Sequence, residues 1–436
     1  MEARVEGRRV VISGVGAITP LGNTAEAFFA RLMAGETGVR RATRFDPARS
    51  PLQYAAEVQD FDPAAYGISA RDARILAPVQ QFALAAAEMA VRDAGLDLPR
   101  QELRGGSRSA ERQERYGVAV GTAYPSTAIL AEQFAQLQAR GARGVSPHLF
   151  GMTMPNAPTS VISIRFALAG PLVTVSGATA AGAESIIAAY EKIKYGRAEI
   201  MLAGGAEAGV SEIVAAGFAQ NQTGSRSGAC RPFDLRRDGT VLGEGAAVFV
   251  LEERDHALAR GARTYGEILG YGQRADAYDM TDIPVASPPG LIACLREALA
   301  DAGVPAERIN YVNAHGTGTR INDLAETNAL KQVFGAHARA MAVSSIKGSV
   351  GHSLGAAGAV ELLATLFAAC WDYVPPTHGL EVPDPACDLD YVPGVGRRMP
   401  VDLALSISVG MGGGNAAIIV RGEKPAGAPA WLFAAP

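Results

Sequence analysis

Short apolar runs that resemble buried strands alternate with longer segments of helical periodicity along most of this chain. The strand-like runs are residues 10–12, 116–120, 200–204, 247–251, 309–312 and 417–420. The segments with apolar residues at spacings of three and four are residues 79–94, 182–195, 290–302 and 358–370. Strands that alternate with helices are typical of parallel sheets covered by helices on both faces. The pattern therefore predicts an α/β fold, with tight turns at many of its 50 glycines and 25 prolines.

Composition and charge narrow the class of protein further. The chain has 436 residues, of which 48% are hydrophobic and only 19% are charged, which favours a large folded core over disorder. Its 40 Lys and Arg residues are outnumbered by 44 Asp and Glu residues, so there is no excess of cations to attract nucleic acid. We expect a solvated loop in the charged residues 99–115, and in the short tail at residues 425–436 either a strap on the surface or a contact with a partner.

The cysteines and the start of the chain carry no signal for export or metal binding. Cys230, Cys294, Cys370 and Cys387 stand singly, with no CxxC pair and no metal-ligand spacing. The charged first nine residues are followed by no long apolar stretch, and later apolar windows are interrupted by Gly, Glu or Lys. We therefore expect no metal, no membrane span and a cytoplasmic location.

One histidine follows a predicted strand directly. Residues 313–319 read Asn-Ala-His-Gly-Thr-Gly-Thr, come straight after the run 309–312, and contain His315. Open α/β sheets bind ligands at the carboxyl ends of their strands. His315 is therefore a candidate catalytic residue.

A second histidine lies beside a lysine. Lys347 stands five residues before His352, at the start of an Ala/Gly-rich helix that can pack close to a neighbour. A single histidine in such a place is more often structural than catalytic. Two of only six histidines fall in glycine-rich loops of this kind, and this favours a catalytic pair.

Two further segments can contribute to a site. Residues 170–182 read as a strand that breaks into small residues before a long helix, which is the pattern of a nucleophile elbow at a helix amino terminus. Residues 410–415 form a glycine-rich loop before the last strand. Such a loop can offer an amide to an oxyanion, and it fits a phosphate cradle equally well. The chain has no GxxxxGK[ST] sequence.

Together with residues 231–234, 237–239, 243–245 and 277–281, these segments resemble the elongating β-ketoacyl carrier-protein synthases of fatty-acid and polyketide assembly, over about residues 10–420. The resemblance implies the thiolase fold, in which two similar βαβαβαββ halves form five layers, α-β-α-β-α. The first half, residues 1–262, would carry the elbow, and the second, residues 263–424, both histidine motifs. It also implies a dimer that takes acyl chains from the phosphopantetheine arm of an acyl carrier protein and joins them to malonyl units with loss of CO₂, without a bound cofactor.

The resemblance assigns roles to individual residues. His315 and His352 match the two active-site histidines, which polarise the malonyl thioester and assist decarboxylation. Lys347 matches the lysine that orients the second histidine. The acidic residues that match its supporting network are Asp323, Glu326 and Glu361. Met411 and Gly412 fall in the oxyanion and gating loop, where Met411 replaces the usual phenylalanine and Gly414 the usual threonine.

The nucleophile position departs from the family. Thr179 stands where the family carries cysteine, and the elbow contains no other cysteine. Condensation needs a thiolate, whereas a threonine hydroxyl needs a general base within hydrogen-bond reach. A structural role is also open to Thr179, as the N-cap of a helix that begins near residue 180.

Three interpretations follow. The first is a subunit like the chain-length factors of type II polyketide synthases, which lack the cysteine, pair with an active ketosynthase as a heterodimer and shape the acyl tunnel. The second is an enzyme, as a homodimer, that decarboxylates malonyl-carrier protein with His315 and His352, or transfers acyl groups with Thr179. The third is a β-ketoacyl synthase with an engineered change of cysteine to threonine. The first departs from many chain-length factors, because His315, Lys347 and His352 are all retained.

Overall fold

The computed structural model describes residues 7–103 and 111–425. Residues 104–110 of the expected loop and residues 426–436 of the expected tail lie outside the described residues. The strands are β1 Val10–Ile18, β2 Val39–Arg41, β3 Tyr54–Ala56, β4 Tyr116–Gly121, β5 Leu172–Val175, β6 Ile200–Glu207, β7 Gly245–Glu253, β8 Gly266–Ala275, β9 Ile309–Asn313, β10 Ala342–Ser344, β11 Tyr373–Val374, β12 Arg397–Arg398, β13 Leu403–Gly410 and β14 Gly414–Gly422. The helices are α1 Ala25–Met33, α2 Ala70–Ala73, α3 Pro78–Asp93, α4 Thr127–Arg140, α5 Leu149–Thr153, α6 Ala157–Phe166, α7 Ala181–Lys194, α8 Glu212–Gln220, α9 Arg254–Ala259, α10 Pro289–Ala302, α11 Arg320–Phe334, α12 Lys347–Val350 and α13 Ala357–Trp371.

Ten strands form two sheet halves with the same internal order. The first half runs β5-β4-β6-β7-β1 and the second runs β10-β9-β13-β14-β8. In each half the first three strands are mutually parallel and the last two pair antiparallel. The halves meet where β1 pairs with β8, from Val10 opposite Ile268 to Ile12 opposite Gly266. Each half reads βαβαβαββ along the chain, so the duplicated architecture expected from the sequence is confirmed.

Helices α7 and α13 lie between the two sheets and complete the five layers. Every residue of α13 except Trp371 is buried, because a helix covered on all sides by protein needs apolar side chains all round. The close approach of α7 depends on Gly182, where a Cβ atom would come 2.9 Å from the carbonyl oxygen of Gly355. Helix α3 covers the outer face of the first sheet, and α10 covers that of the second.

One segment of the described residues, Leu354–Trp371, is long and apolar enough to cross a membrane, with a mean hydropathy of 1.6. Within the fold, 94% of it is buried. The segment is made up of the turn before α13 and α13 itself, so its apolar character is explained by its place in the central layer.

Several large apolar side chains are exposed on strand β5 and on helices α4 and α5. Among the described residues β5 is the edge strand of the first half, and Leu172 on it is exposed. None of the residues of α4 is buried, and Leu130, Phe134 and Leu137 are exposed at the spacing of one helix face. Phe150 of α5 is also exposed. At the other end of the sheet, β10 is buried and covered by the segment around Asp390.

Candidate active site

Thr179 lies at the turn between β5 and α7. It is the middle residue of a single 3₁₀ turn, Ala178–Ala180, that leads directly into α7, and its side chain is buried. Ala178 has a φ of +49°, a left-handed conformation that costs an alanine about 1–2 kcal/mol. The turn therefore has the sharp geometry expected of a nucleophile elbow, with Thr179 at the amino end of a long helix.

The hydroxyl of Thr179 donates a hydrogen bond to the carbonyl oxygen of Val409, at 2.6 Å. The residue before α7 is Ala180, and no side chain caps the helix there. The interpretation of Thr179 as an N-cap is therefore wrong. The 3₁₀ turn already places Thr179 inside the helical run, and its side chain reaches the end of β13 instead of the first N–H groups of α7.

His315 is held by Lys347. It lies just after β9 and is 2% exposed. The Nζ atom of Lys347 donates to Nδ1 of His315 at 3.2 Å and to the carbonyl oxygen of the same residue, and it forms an ion pair with Glu361. These hydrogen bonds go to the first histidine, so the prediction that Lys347 orients the second is corrected. Because an ammonium group only donates, Nδ1 must accept, and the proton of the neutral ring is on Nε2.

His352 lies edge-to-face against His315, with the ring centroids 5.3 Å apart and an interplanar angle of 80°. Its backbone is fixed by a bond from its N–H to Val241 at 2.7 Å and by a bond from the Gly243 N–H to its carbonyl oxygen at 2.8 Å. Its ring atom Nδ1 is buried, and within the described part of the chain it has no hydrogen-bond partner.

Both imidazoles are neutral at neutral pH. Burial lowers the pKa of His315 well below its usual 6.5, and the positive charge of Lys347 and the neighbouring His352 lower it further. Burial, followed by the charge of Lys347, lowers the pKa of His352 in the same way. Each ring can therefore donate one N–H to a substrate oxygen without first losing a charge.

Two acidic residues brace the loop that carries His315. Glu326 accepts hydrogen bonds from the N–H groups of His315, at 2.6 Å, and Gly316, at 2.9 Å. Asp323 accepts from Phe233, at 2.8 Å, and from Gly318. Burial raises the pKa of Glu326 to about 7 and that of Asp323 to about 6. With Glu361, which binds Lys347, they stabilise the positions of the cavity residues without lining the cavity themselves.

These side chains meet at one cavity of about 770 Å³. Thr179, His315 and His352 line it, together with Met411 and Gly412 of the glycine-rich loop. The lining residues that sequence reasoning did not single out include Ile283 and Val409. Val409 carried one available signal, since it stands directly before the glycine-rich loop.

The glycine-rich loop joins β13 to β14 and contacts a second loop. Gly412 and Gly413 have φ values of +88° and +82°, which only glycine adopts readily. The N–H of Gly412 donates to the carbonyl oxygen of Met280 at 2.9 Å. The backbone N–H groups of Met411 and Thr179 belong to residues that line the cavity. No cluster of three or more His, Cys, Asp or Glu residues in residues 7–103 and 111–425 could hold a metal ion.

Residues 7–257 match the family described as beta-ketoacyl synthase, N-terminal domain, and residues 265–381 match beta-ketoacyl synthase, C-terminal domain. The 3-oxoacyl-[acyl-carrier-protein] synthase 2 of Synechocystis sp. is 40% identical over 424 residues, which cover 96% of this chain and 99% of that protein. A solved structure described as the ishigamide ketosynthase/chain length factor has a TM-score of 0.85 and 34% identity, covering 96% of this chain and all of its own. A type II polyketide synthase acyl-carrier protein in complex with its ketosynthase bound to the hexaketide gives a TM-score of 0.84 and 32% identity, covering 95% and 99%.

The five layers and the loops at the strand ends thus define the class of thiolase-fold ketosynthases. The chain belongs to the β-ketoacyl synthase family, whose members include fatty-acid and type II polyketide enzymes.

Proposed function

We propose that this chain is a ketosynthase-like subunit of a type II polyketide or fatty-acid synthase that pairs with an active ketosynthase and shapes its acyl tunnel. The observation that carries the proposal is the hydrogen bond from the Thr179 hydroxyl to Val409. A hydroxyl becomes a nucleophile when a base accepts its proton, and this proton is held by a carbonyl oxygen that is not a base. Thr179 therefore fills the nucleophile position without supplying the nucleophile.

The exposed apolar side chains support the pairing. An edge strand at β5 and an apolar stripe on α4 are costly to expose to water, and surfaces of this kind are typical of subunit interfaces. The similar structure described as a ketosynthase/chain length factor indicates the class of partner, a homologue of this chain that carries cysteine at the elbow.

The residues of the cavity support the proposal that an acyl group arrives on the phosphopantetheine arm of an acyl carrier protein. The proposal includes no resident cofactor. The backbone N–H groups of Thr179 and Met411 line the cavity and can donate to a thioester oxygen, and so can the two neutral histidines. We propose that the protein acts in the cytoplasm, where soluble acyl carrier proteins deliver their substrates.

We expect the chain to co-purify one-to-one with a cysteine-bearing homologue when the two are expressed together. Phe134→Asp should weaken the pair at least about 30-fold, because a charge in an apolar interface costs about 2 kcal/mol or more. The measurement is sedimentation velocity across a dilution series. The matched control is Leu258→Asp, since Leu258 is 58% exposed on α9 and Phe134 is 62% exposed on α4. A stable homodimer that ignores the homologue would contradict the proposal.

The retained histidine pair favours a second candidate function, decarboxylation of malonyl-carrier protein. Two neutral imidazoles at one cavity can stabilise the enolate oxygen that forms as CO₂ leaves. We expect CO₂ release that falls at least about 100-fold in His352→Ala but persists in His148→Ala, which alters a histidine outside the cavity.

The pH dependence of CO₂ release tests the same role. Because the pKa values of His315 and His352 are both lowered, the rate should stay level as the pH falls through about 6.5. A rate that halves near that pH would contradict this role.

A further inference from the structure

A buried carboxyl group outside the cavity connects several of the loops described above. Glu207 is the last residue of β6 and is fully buried. Its Oε2 atom accepts hydrogen bonds from the N–H groups of Ala123 at 2.8 Å, Tyr124 at 3.1 Å and Gly355 at 3.2 Å. Within the described residues, its Oε1 atom has no hydrogen-bond partner. Burial raises the pKa of this group to about 7.

The three N–H groups belong to segments that lead to different parts of the site. Gly355 lies three residues after His352, in the 3₁₀ turn Leu354–Ala356 that opens α13. Ala123 and Tyr124 follow β4 and lead to α4, the helix with the exposed apolar stripe. The preceding residue, Thr122, donates its N–H to Val175 at 3.0 Å, four residues before Thr179.

The turn after His352 needs an external restraint. Leu354 has a φ of +47°, a left-handed conformation that is unfavourable for leucine. A Cβ atom at Gly355 would lie 2.4 Å from the nitrogen of Ala123, so the two backbones are in direct contact and only glycine fits. Such a conformation persists only when its surroundings hold it.

His352 has fewer supports of its own than His315. The ring of His315 is bound by Lys347 and its loop by Glu326. The ring atom Nδ1 of His352 has no partner, and the backbone bonds to Val241 and Gly243 fix only the side that precedes the turn. On the side that follows, the hydrogen bond from Gly355 to Glu207 joins the turn to β6.

We infer that Glu207 is a positioning residue, whose carboxyl group fixes the turn after His352 and thereby holds His352 beside His315. The same group ties that turn to the segment that enters α4, the helix proposed to meet the partner subunit. The inference rests on the proposed function only where it gives His352 a role in acyl chemistry. The placement of the ring can be tested without any substrate.

The test is a pH titration of the protein with ¹³C-labelled histidine, followed by NMR, with the His352 signal assigned from a His352→Asn variant. In the parent chain the His352 signal should keep its neutral position as the pH falls through about 6.5. In Glu207→Ala the freed turn should admit water, and the apparent pKa of His352 should rise by about one unit or more, a tenfold change in proton affinity. His315, which is held by Lys347, should remain neutral over the same pH range.

Two further variants separate positioning from general loosening. Glu207→Gln keeps an oxygen that accepts from the same three N–H groups, so His352 should titrate as in the parent. Glu88→Ala removes another buried carboxyl group, which lies on α3 and pairs with Arg100 and Arg165, and should lower stability without moving His352.

An unchanged His352 titration in Glu207→Ala would overturn the inference, as would equal shifts of His315 and His352, or a shift in Glu207→Gln as large as in Glu207→Ala. Should the alanine variant not fold, amide exchange in the parent decides. The N–H groups of Ala123, Tyr124 and Gly355 should exchange with protection within about tenfold of one another, since they open together. Protection factors that differ by more than about tenfold among these three N–H groups would overturn the inference. None of these readouts needs carrier protein, so a failure of the proposed function would leave them intact.

Discussion

Replacing Thr179 with cysteine is expected to give the chain a covalent acyl adduct that the parent does not form. The Thr179 hydroxyl donates a hydrogen bond to Val409. A thiol is a weaker donor, so the same carbonyl oxygen would restrain it less. A thiol at the amino end of the long helix α7 has a lowered pKa, because the helix dipole favours its anion. The backbone N–H groups at positions 179 and 411, which line the cavity, can then stabilise the oxyanion as the thioester is attacked. Intact-mass analysis after incubation with acyl-carrier protein measures the adduct.

Thr179→Ser is the matched control for this change. Serine keeps the hydroxyl and removes only the methyl group, so it separates crowding from the choice of nucleophile. We expect no adduct on it, because its proton is again held by Val409. An ester on the parent or on Thr179→Ser would contradict the proposed non-condensing role. Condensation by Thr179→Cys at the rate of an ordinary synthase would support the interpretation that the threonine replaced a cysteine in an otherwise intact enzyme.

Lys347→Met is expected to lower the free energy of unfolding by about 3–5 kcal/mol, because it leaves the charge of Glu361 buried without a partner. Both side chains are at most 2% exposed, so water cannot replace the lost contact. The Oε2 atom of Glu361 already lacks a partner in the described chain, so the variant would leave two oxygens unsatisfied. Urea unfolding followed by circular dichroism measures the loss.

The pH dependence of this loss has a definite sign. Burial already raises the pKa of Glu361 while Lys347 lowers it, so removing the lysine raises the folded-state pKa further above the unfolded value. A carboxyl group of this kind destabilises the fold where it must be ionised, and the penalty shrinks as the pH falls and the group takes up a proton. The loss should therefore be larger at pH 8 than at pH 5.

The double variant Lys347→Met with Glu361→Gln should recover most of the stability, since it removes both charges. In the single variant His315 also loses the donor to Nδ1, which frees the ring to exchange tautomers. Single and double variants that lose the same free energy would show that the ion pair does not account for the effect.

The boundaries of several elements could be read from local pattern. The periodic segment 358–370 corresponds to α13 at Ala357–Trp371, and the segment 182–195 corresponds to α7 at Ala181–Lys194. The run 10–12 is only the start of β1, which continues through small residues to Ile18. Strand β13, Leu403–Gly410, was not predicted, because serines alternate with its apolar residues although every position is buried. The interior position of these serines follows from the sheet on one side and α13 on the other.

The sequence also predicted which residues form the site better than it predicted their contacts. Motif order and residue type were enough to select Thr179, His315 and His352, which the fold brings to one cavity. The N-cap interpretation of Thr179 and the pairing of Lys347 with the second histidine were wrong. Both depend on which atom lies within 3 Å of another, and neither local periodicity nor helix propensity contains that information.

The sequence by itself determined the alternation of strands and helices, the elbow with its threonine, and the two histidine loops, because each of these is written in neighbouring residues. Only the tertiary structure decided that the Thr179 hydroxyl donates to Val409, which lies 230 positions further along the chain, and that Glu207 joins loops from both halves. Hydrogen-bond partners so distant in sequence are selected by the packing of the two sheets around α7 and α13. That packing depends on the shapes of all the layers together, and no single segment specifies it.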